Sequence, residues 1–473
     1  MIEFSCPSCG HGFRVPPEAA GQVGTCRKCT TKFRVPTPKP DPSSDGADEA
    51  RKPFSVEEMR EHLRNSLDGT VPRRLVNIGY QLSLLAVAFF MLLLPMLYVG
   101  VIAGTCFGLY FYCVDIMPAL METLPRGRGA VLGMGIYISP IVGGGIMVLF
   151  LIKPIFFTVV SGRAPRQRSI SKAAEPVFFE LVERICAATR SPIPRRIDVD
   201  YNVNASASLR RGLRSLFSRD LVLTVGTPLI AGFNTRQLAG VLAHEFGHFS
   251  QGGGMKSMFV IRSINLWFAR VVYQRDAMDE GLDNAIRDSD WRISLFLLVG
   301  KLFVYLSRGV LWTFMMVAHA VSCLMMRQME FDADRYEAHV AGSAYFAETS
   351  KRLQKLSLGQ QAVYRVVIEE LGQQGLITDL PGLIAEGADK VSAEDWKRSQ
   401  KQIAEGESDL FATHPSDEKR IKAAQAQDAE GMFQLEVPAR ELFKNFDKLC
   451  EGTTMDFYRN ELGIMLKPGQ LQG

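Results

Sequence analysis

The stretch His244-Glu245-Phe246-Gly247-His248 decides how this chain is to be read. Two histidines four apart on a helix sit one above the other on the same face, so both imidazoles can reach one metal ion while the glutamate between them flanks it. Zinc held in this way lowers the pKa of a coordinated water toward neutrality, and a neighbouring carboxylate can take the water's proton during attack on a carbonyl. With only seven histidines in 473 residues, the pattern stands out from the composition. Its setting is that of a buried helix. Asn234-Thr235-Arg236-Gln237 supplies a helix start, and Leu238, Val241, Leu242 and Phe246 form an apolar stripe.

A catalytic zinc site holds three protein ligands and leaves a fourth position for water, so two histidines do not complete it. Downstream, Arg327-Gln328-Met329-Glu330-Phe331-Asp332-Ala333-Asp334 offers Glu330 and Asp334, again four apart and on one helix face. Glu330 is the candidate third ligand. Asp334 is the candidate acceptor for the far nitrogen of a ligand histidine, a contact that fixes the tautomer.

Three segments together carry a resemblance: Leu238 to His248, then Glu330-Phe331-Asp332-Ala333-Asp334, then Thr413-His414-Pro415-Ser416-Asp417-Glu418-Lys419-Arg420-Ile421. In this order, over residues 170 to 425, the chain resembles the HtpX and CAAX prenyl protease family of membrane zinc metalloendopeptidases. The resemblance implies a gluzincin-like fold, a mainly helical domain with a small β-sheet beside the active-site helix. It implies His244, His248 and Glu330 as zinc ligands, Glu245 as general base, and Asp334 as the residue orienting His244. It also places His414 near the active site, where an imidazole could stabilise an oxyanion. The same His-Pro step, followed by Ser416-Asp417-Glu418, reads equally as a turn and cap for a following helix.

Upstream, Arg196-Ile197-Asp198-Val199-Asp200-Tyr201-Asn202-Val203 alternates with period two and Leu221-Val222-Leu223-Thr224-Val225 is a short apolar run, so both read as strands. Asn204-Ala205-Ser206-Ala207 resembles the family's edge strand, which implies Asn204 and Ala205 as contacts to substrate backbone added as a further strand. The alternative is an ordinary sheet edge with no ligand.

At the N-terminus, Cys6-Pro7-Ser8-Cys9 and Cys26-Arg27-Lys28-Cys29 stand sixteen residues apart. Paired C-x-x-C knuckles at this spacing read as a four-cysteine structural zinc site of the zinc-ribbon kind. Gly12-Phe13-Arg14-Val15-Pro16 is echoed by Lys32-Phe33-Arg34-Val35-Pro36, as expected of two hairpins clasping one metal. So short a module cannot bury a sufficient core without its metal. Phe13 and Phe33 read as core rather than as a base-stacking platform, so a protein partner of unknown identity is favoured over nucleic acid. Thiolate ligands need a reducing compartment, which places this end in the cytoplasm. The remaining cysteines, Cys106, Cys113, Cys186, Cys323 and Cys450, match no metal motif, and their odd number argues against a disulfide framework.

Pro38, Pro40, Pro42 and Pro53, interspersed with Ser, Gly and Asp, mark a linker, after which Ser55-Val56-Glu57-Glu58 opens a charged helix. Residues 78–114 then carry no charge, well beyond the twenty or so residues needed to cross a bilayer; residues 130–150 are also uncharged, although Pro140 and Gly143-Gly144-Gly145 interrupt them. Arg73 and Arg74 precede the first run, and Lys153, Arg163, Arg166 and Arg168 follow the second. By the positive-inside rule both flanks are cytoplasmic, giving a transmembrane helical hairpin whose first span is long or kinked at Pro95 or Gly100. A third apolar region, residues 293–326, contains Lys301, Arg308 and His319 with Gly300 and Gly309 as breaks. It reads as a buried or interfacial helix pair, or else as two crossings, since Glu330 must return to the side of His244.

The expected organisation is that of a multidomain membrane protein: zinc ribbon 1–36, linker and juxtamembrane helix 37–72, transmembrane hairpin 73–160, metallopeptidase domain 161–430 and C-terminal appendage 431–473. A formal charge of +4 and mean hydropathy of +0.05 suit a chain that is part membrane and part soluble, and they argue against a nucleic-acid-wrapping protein. The expected cofactors are one catalytic and one structural zinc, and the expected partners are a protein or peptide substrate and the lipid bilayer. Ribbon and active site would share the cytoplasmic face of a multi-pass cell-membrane protein. Two function classes compete, an endopeptidase and a catalytically quiet zinc-binding sensor or scaffold; Glu245 favours the first, because a binding protein needs no general base. Prenylated-peptide processing fits less well, since that branch of the family builds a many-helix membrane chamber.

Overall fold

The computed structural model describes residues 2–5, 12–15, 23–26, 28–29, 32–34, 55–67, 69–72, 78–123, 128–157, 168–209, 220–250, 253–273, 277–369, 376–407 and 415–465. The chain divides into two compact units, residues 1–54 and 55–473. In the first, β1 (Ile2–Ser5) pairs antiparallel with β2 (Gly12–Val15), and β3 (Val23–Thr25) with β4 (Lys32–Arg34). The two hairpins place Phe13 opposite Phe4 and Phe33 opposite Gly24. Cys26 follows β3 directly and is buried; Cys6 and Cys9 lie outside the described residues.

The second unit begins with α1 (Val56–Ser66), capped reciprocally by Ser55 and Glu58. Buried Met59 and Leu63 seat it, and Arg60 Nε donates to Glu180 Oε2 at 2.6 Å. Next comes α2 (Ile78–Phe111), which passes through Pro95 without a break, then a π turn over Tyr112–Ile116, α3 (Met117–Glu122) and α4 (Arg128–Phe157). The Tyr98 hydroxyl donates to the carbonyl of Leu151, and that of Tyr112 to the carbonyl of Tyr137, so α2 and α4 lie antiparallel.

A four-stranded sheet follows, with β5 (Arg168–Ile170), β6 (Arg196–Asp200), β7 (Ala205–Leu209) and β8 (Leu221–Gly226) in the order β5-β6-β8-β7. The β6–β8 pair is parallel, and the other pairs are antiparallel. The apolar run of β8 suits a central strand buried along its whole length, whereas β7, reading Ala-Ser-Ala-Ser-Leu, is an edge. α5 (Pro176–Thr189) lies between β5 and β6 in the chain, and α6 (Thr227–Gly232) follows β8.

The remaining helices are α7 (Thr235–Ser250), α8 (Gly253–Tyr273), α9 (Ala277–Asp288), α10 (Trp291–Ala341), α11 (Ser343–Glu369), α12 (Leu380–Asp389), α13 (Ala393–Glu407), α14 (Asp417–Gln425) and α15 (Phe446–Glu461). Phe433, Leu442, Phe443, Phe446 and Phe457 near the C-terminus are buried, with Phe443 stacked on Phe178 of α5 at 4.6 Å between centroids. Thr235 N–H donates to the Val437 carbonyl, so this segment also seats the start of α7.

Among the described residues three helical stretches are long and apolar enough to cross a membrane: Leu82–Glu122, Gly133–Lys153 and Ile293–Cys323. Here the structure departs from the expected helix pair over residues 293–326. α10 is one continuous helix through Gly300 and Gly309. Glycine does not break it because the apolar neighbours remain helical; a side chain at Gly300 would strike Ile146, its Cβ standing 2.6 Å from Cδ1. The antiparallel partner of α10 is instead α8, and the two share a core with α2 and α4 that includes Met91, Tyr98, Leu151, Phe268, Leu311 and Met315. Charges within the apolar stretch are met by α9: Lys301 Nζ lies 2.7 Å from Asp283 and Arg308 2.8 Å from Asp279, which Lys153 also approaches at 3.5 Å.

Candidate metal centre

α7 starts in a reciprocal cap. Asn234 Oδ1 accepts from Gln237 N–H at 2.8 Å, and Gln237 Oε1 accepts from Asn234 N–H at 3.1 Å. Leu238, Leu242 and Phe246 are fully buried, fixing the rotation of the helix and with it the direction of His244 and His248. The last third of α10 packs against α7 through two glycines. A Cβ at Gly240 would stand 2.9 Å from the Cβ of Ala341, and one at Gly247 2.8 Å from Cδ2 of Tyr336. This close approach brings Glu330 and Asp334 to the two histidines.

His244 Nε2 lies 3.6 Å from Glu330 Oε2, and His248 Nε2 lies 3.9 Å from Glu330 Oε1. One donor atom from each of the three residues falls within 4.8 Å of the others, and the imidazole planes stand at 90°. Zn–N and Zn–O bonds of about 2.0–2.1 Å in a tetrahedral arrangement put ligand atoms about 3.4 Å apart, so the two histidines and the carboxylate fit a single zinc ion. The surroundings favour a cation as well. His244 is raised to about 9: burial opposes its charge, but Asp334, Glu330 and Glu245 outweigh burial. His248 is pushed down to about 3 by burial, with the charge of His244 acting in the same direction. The site is therefore a buried acidic enclosure with one imidazole held neutral as a lone-pair donor, and neither His244 Nδ1 nor His248 Nδ1 meets hydrogen-bond geometry with a partner among the described residues.

Asp334 Oδ1 stands 3.0 Å from His244 Nδ1. Behind it, Arg420 of α14 donates from Nε to Asp334 Oδ2 at 2.9 Å and from its terminal nitrogen to Oδ1 at 2.6 Å. Burial opposes the charge of Asp334, but the two bonds from Arg420 and the adjacent His244 imidazole hold its carboxyl below the usual range. Glu337 is also buried, 3.9 Å from His244 Nδ1, and burial raises it to about 7. Glu245 lies beside this cluster with its carboxyl raised by burial, against the pull of His244; its Oε2 accepts from the Ala207 N–H at 3.2 Å.

The edge strand β7 thus touches the glutamate of the motif. Ala205 lies in β7 opposite Val225, and the Asn204 carbonyl accepts from Gly226 N–H at 2.7 Å, so this group of Asn204 already has a partner within the sheet. His414 lies outside the described residues. Just after it, Pro415 is buried and Ser416 caps α14 by accepting from Lys419 N–H. Sequence reasoning assigned no role to Arg420, Glu337 or Ala207. Glu337 lies seven residues beyond Glu330 and three beyond Asp334, on the same helix face, so its periodicity was available. Arg420 was visible only as one charge in a charged segment.

The chain matches Peptidase family M48 over residues 179–428, which contain every described residue of this centre. It is 26% identical over 207 residues to "Protease HtpX" of Stutzerimonas stutzeri (strain A1501), covering 43% of this chain and 58% of that protein. It is 28% identical over 142 residues to "Protease HtpX homolog" of Methylacidiphilum infernorum (isolate V4), covering 30% of this chain and 45% of that protein. The chain thus spans about half the length of the curated relatives it matches. No solved structure matches it. With the match extending over more than half of the sequence and enclosing the His244–His248–Glu330 cluster, the chain belongs to peptidase family M48.

Proposed function

We propose that this protein is a membrane-anchored zinc metalloendopeptidase that cleaves membrane or membrane-proximal proteins from the cytoplasmic side. The observation that carries the reading is the convergence of His244, His248 and Glu330 donor atoms beside a Glu245 carboxylate tied to the edge strand. A zinc ion held by these three residues would supply Lewis acidity, polarising a carbonyl and acidifying a water. Glu245 takes the proton of the attacking water and returns it to the leaving amine; burial raises its pKa, which strengthens it as a proton acceptor. The Ala207 N–H holds the Glu245 carboxylate in place, and Asp334 with Arg420 behind it fixes the ring of His244. Substrate backbone adds to the edge of β7 near Asn204 and Ala205, a mode largely indifferent to side chains. His414 follows in the role of oxyanion donor.

The N-terminal unit is proposed to hold a second, structural zinc through Cys6, Cys9, Cys26 and Cys29. The apolar helices anchor the enzyme with both zinc modules facing the cytoplasm, a reading supported by the cations that flank the first two runs. Purified full-length protein should cleave casein and lose that activity in Glu245→Gln. Equal cleavage by the variant would leave the sensor or scaffold reading in its place.

A further inference from the structure

We propose that the groove between α10 and α14, behind the metal centre, binds the headgroup of an anionic phospholipid from the leaflet facing the active site. The groove is a cavity of about 440 Å³ with an apolar floor that includes Phe331, Ala423 and Ala424 and a rim bearing Arg335, Lys419 and Lys422; none of its lining residues is acidic. Arg335, Lys419 and Lys422 form no ion pair among the described residues, although Arg420 between the two lysines is fully engaged by Asp334. Three cations over an apolar floor match an amphiphile with one phosphodiester charge and adjoining hydrocarbon. A free phosphate would have no use for the floor.

Position selects the lipid. The apolar stretch of α10 ends at Cys323, and at a rise of 1.5 Å per residue Gln328, Phe331 and Arg335 lie about 7, 12 and 18 Å further along the axis. Headgroups occupy about 5–8 Å beyond each face of the hydrocarbon, and any tilt of the helix lowers the groove toward them. The base of the groove is therefore at headgroup level, within the length of a lysine stem from its rim. Arg335 also donates to the carbonyl of Pro72, just ahead of α2, and the next two residues in sequence are Arg73 and Arg74. Cationic side chains near the surface of an anionic leaflet attract its lipids.

The groove shares a helix with the metal centre. α14 presents Lys419, Lys422 and Ala423 to the cavity and Arg420 to Asp334, so a headgroup bridging α14 to Arg335 of α10 braces the Arg420–Asp334 contact that backs His244. This inference rests on the proposed membrane placement of α10 and not on catalysis.

The test uses full-length protein in nanodiscs of phosphatidylcholine with and without phosphatidylglycerol, with retained lipid counted by native mass spectrometry. Wild type should retain phosphatidylglycerol in preference to phosphatidylcholine. Lys419→Glu/Lys422→Glu should lower that retention by about tenfold or more, Lys419→Gln/Lys422→Gln should lower it less, and the exposed pair Lys390→Glu/Lys397→Glu should leave it unchanged. Insertion into nanodiscs without any lipid preference, or equal losses in the control pair, would overturn the proposal while leaving the membrane placement intact. Failure to insert at all would overturn both.

Discussion

Arg420 grips Asp334 through two hydrogen bonds of 2.9 and 2.6 Å, one to each carboxylate oxygen, while the same aspartate stands 3.0 Å from Nδ1 of His244. In the proposed site a residue of α14 thereby backs an imidazole on α7 through a residue of α10. Removing Arg420 leaves a buried carboxylate unpaired. Arg420→Ala should cost on the order of 3–5 kcal/mol of stability and weaken zinc binding about 10–100-fold, measured by thermal unfolding and competition with a chromogenic chelator. Arg420→Lys should recover only part of both, because an ammonium cannot occupy both oxygens in fork geometry.

Acid should reveal the same pair. The folded pKa of Asp334 lies below its unfolded value of about 3.9, so its ionised form contributes stability above that value and loses the contribution as pH falls through the folded pKa. Asp334 also helps raise His244, a contribution that grows as pH falls toward the imidazole's unfolded value, so the difference in unfolding free energy between wild type and Asp334→Asn should widen rather than shrink from pH 7 to 5 and shrink only below about pH 4. A difference that collapses between pH 7 and 5 would show that the aspartate is not held as described.

Glu245→Gln should reduce peptide cleavage by about 10²–10⁴ while leaving zinc content unchanged, since the carboxylate moves a proton and is not a ligand in the proposed site. His244→Ala/His248→Ala should lose activity and one zinc together.

Zinc stoichiometry separates the two modules. Wild type should bind two zinc ions per chain, with Cys26→Ser/Cys29→Ser and His244→Ala/His248→Ala each binding one. If the cysteine variant alone abolished all bound zinc, the catalytic reading would fail.

Gly247→Ala places a methyl 2.8 Å from Cδ2 of Tyr336, where α10 approaches most closely beside His248. The usual helix gain of about 1 kcal/mol for alanine over glycine should be reversed by overpacking of about 1–3 kcal/mol, with a loss of zinc affinity measured by the same chelator competition.

The parts of the centre that were legible in the sequence are those with local spacing. His244 and His248, like Glu330 and Asp334, announce a shared helix face because their chemistry repeats every four residues. The β6 and β8 strands announce themselves by alternation and by an apolar run. What the spacing does not carry is the meeting of α7 with α10, more than eighty residues apart, which depends on Gly240 and Gly247 allowing close contact. Arg420 escaped for the same reason: its partner is distant in sequence, and an isolated arginine in Asp417–Gln425 has no periodic signature. The glycines of α10 misled in the opposite direction. Gly300 and Gly309 look like breaks, yet in an apolar helix packed against α4 and α8 they are tolerated, and the helix continues to the metal centre.

That continuity makes α10 a lever. From Arg308, near the middle of the apolar stretch, to Glu330 is about 33 Å along an unbroken helix. A rotation of about 2° at the lower point moves Glu330, the proposed third ligand, by about 1 Å, several times the roughly 0.2 Å tolerance of a metal–ligand bond. In the proposed membrane placement Glu330 is thus a pointer whose other arm lies in hydrocarbon, and the thickness of the surrounding bilayer would become a variable of the metal site's geometry.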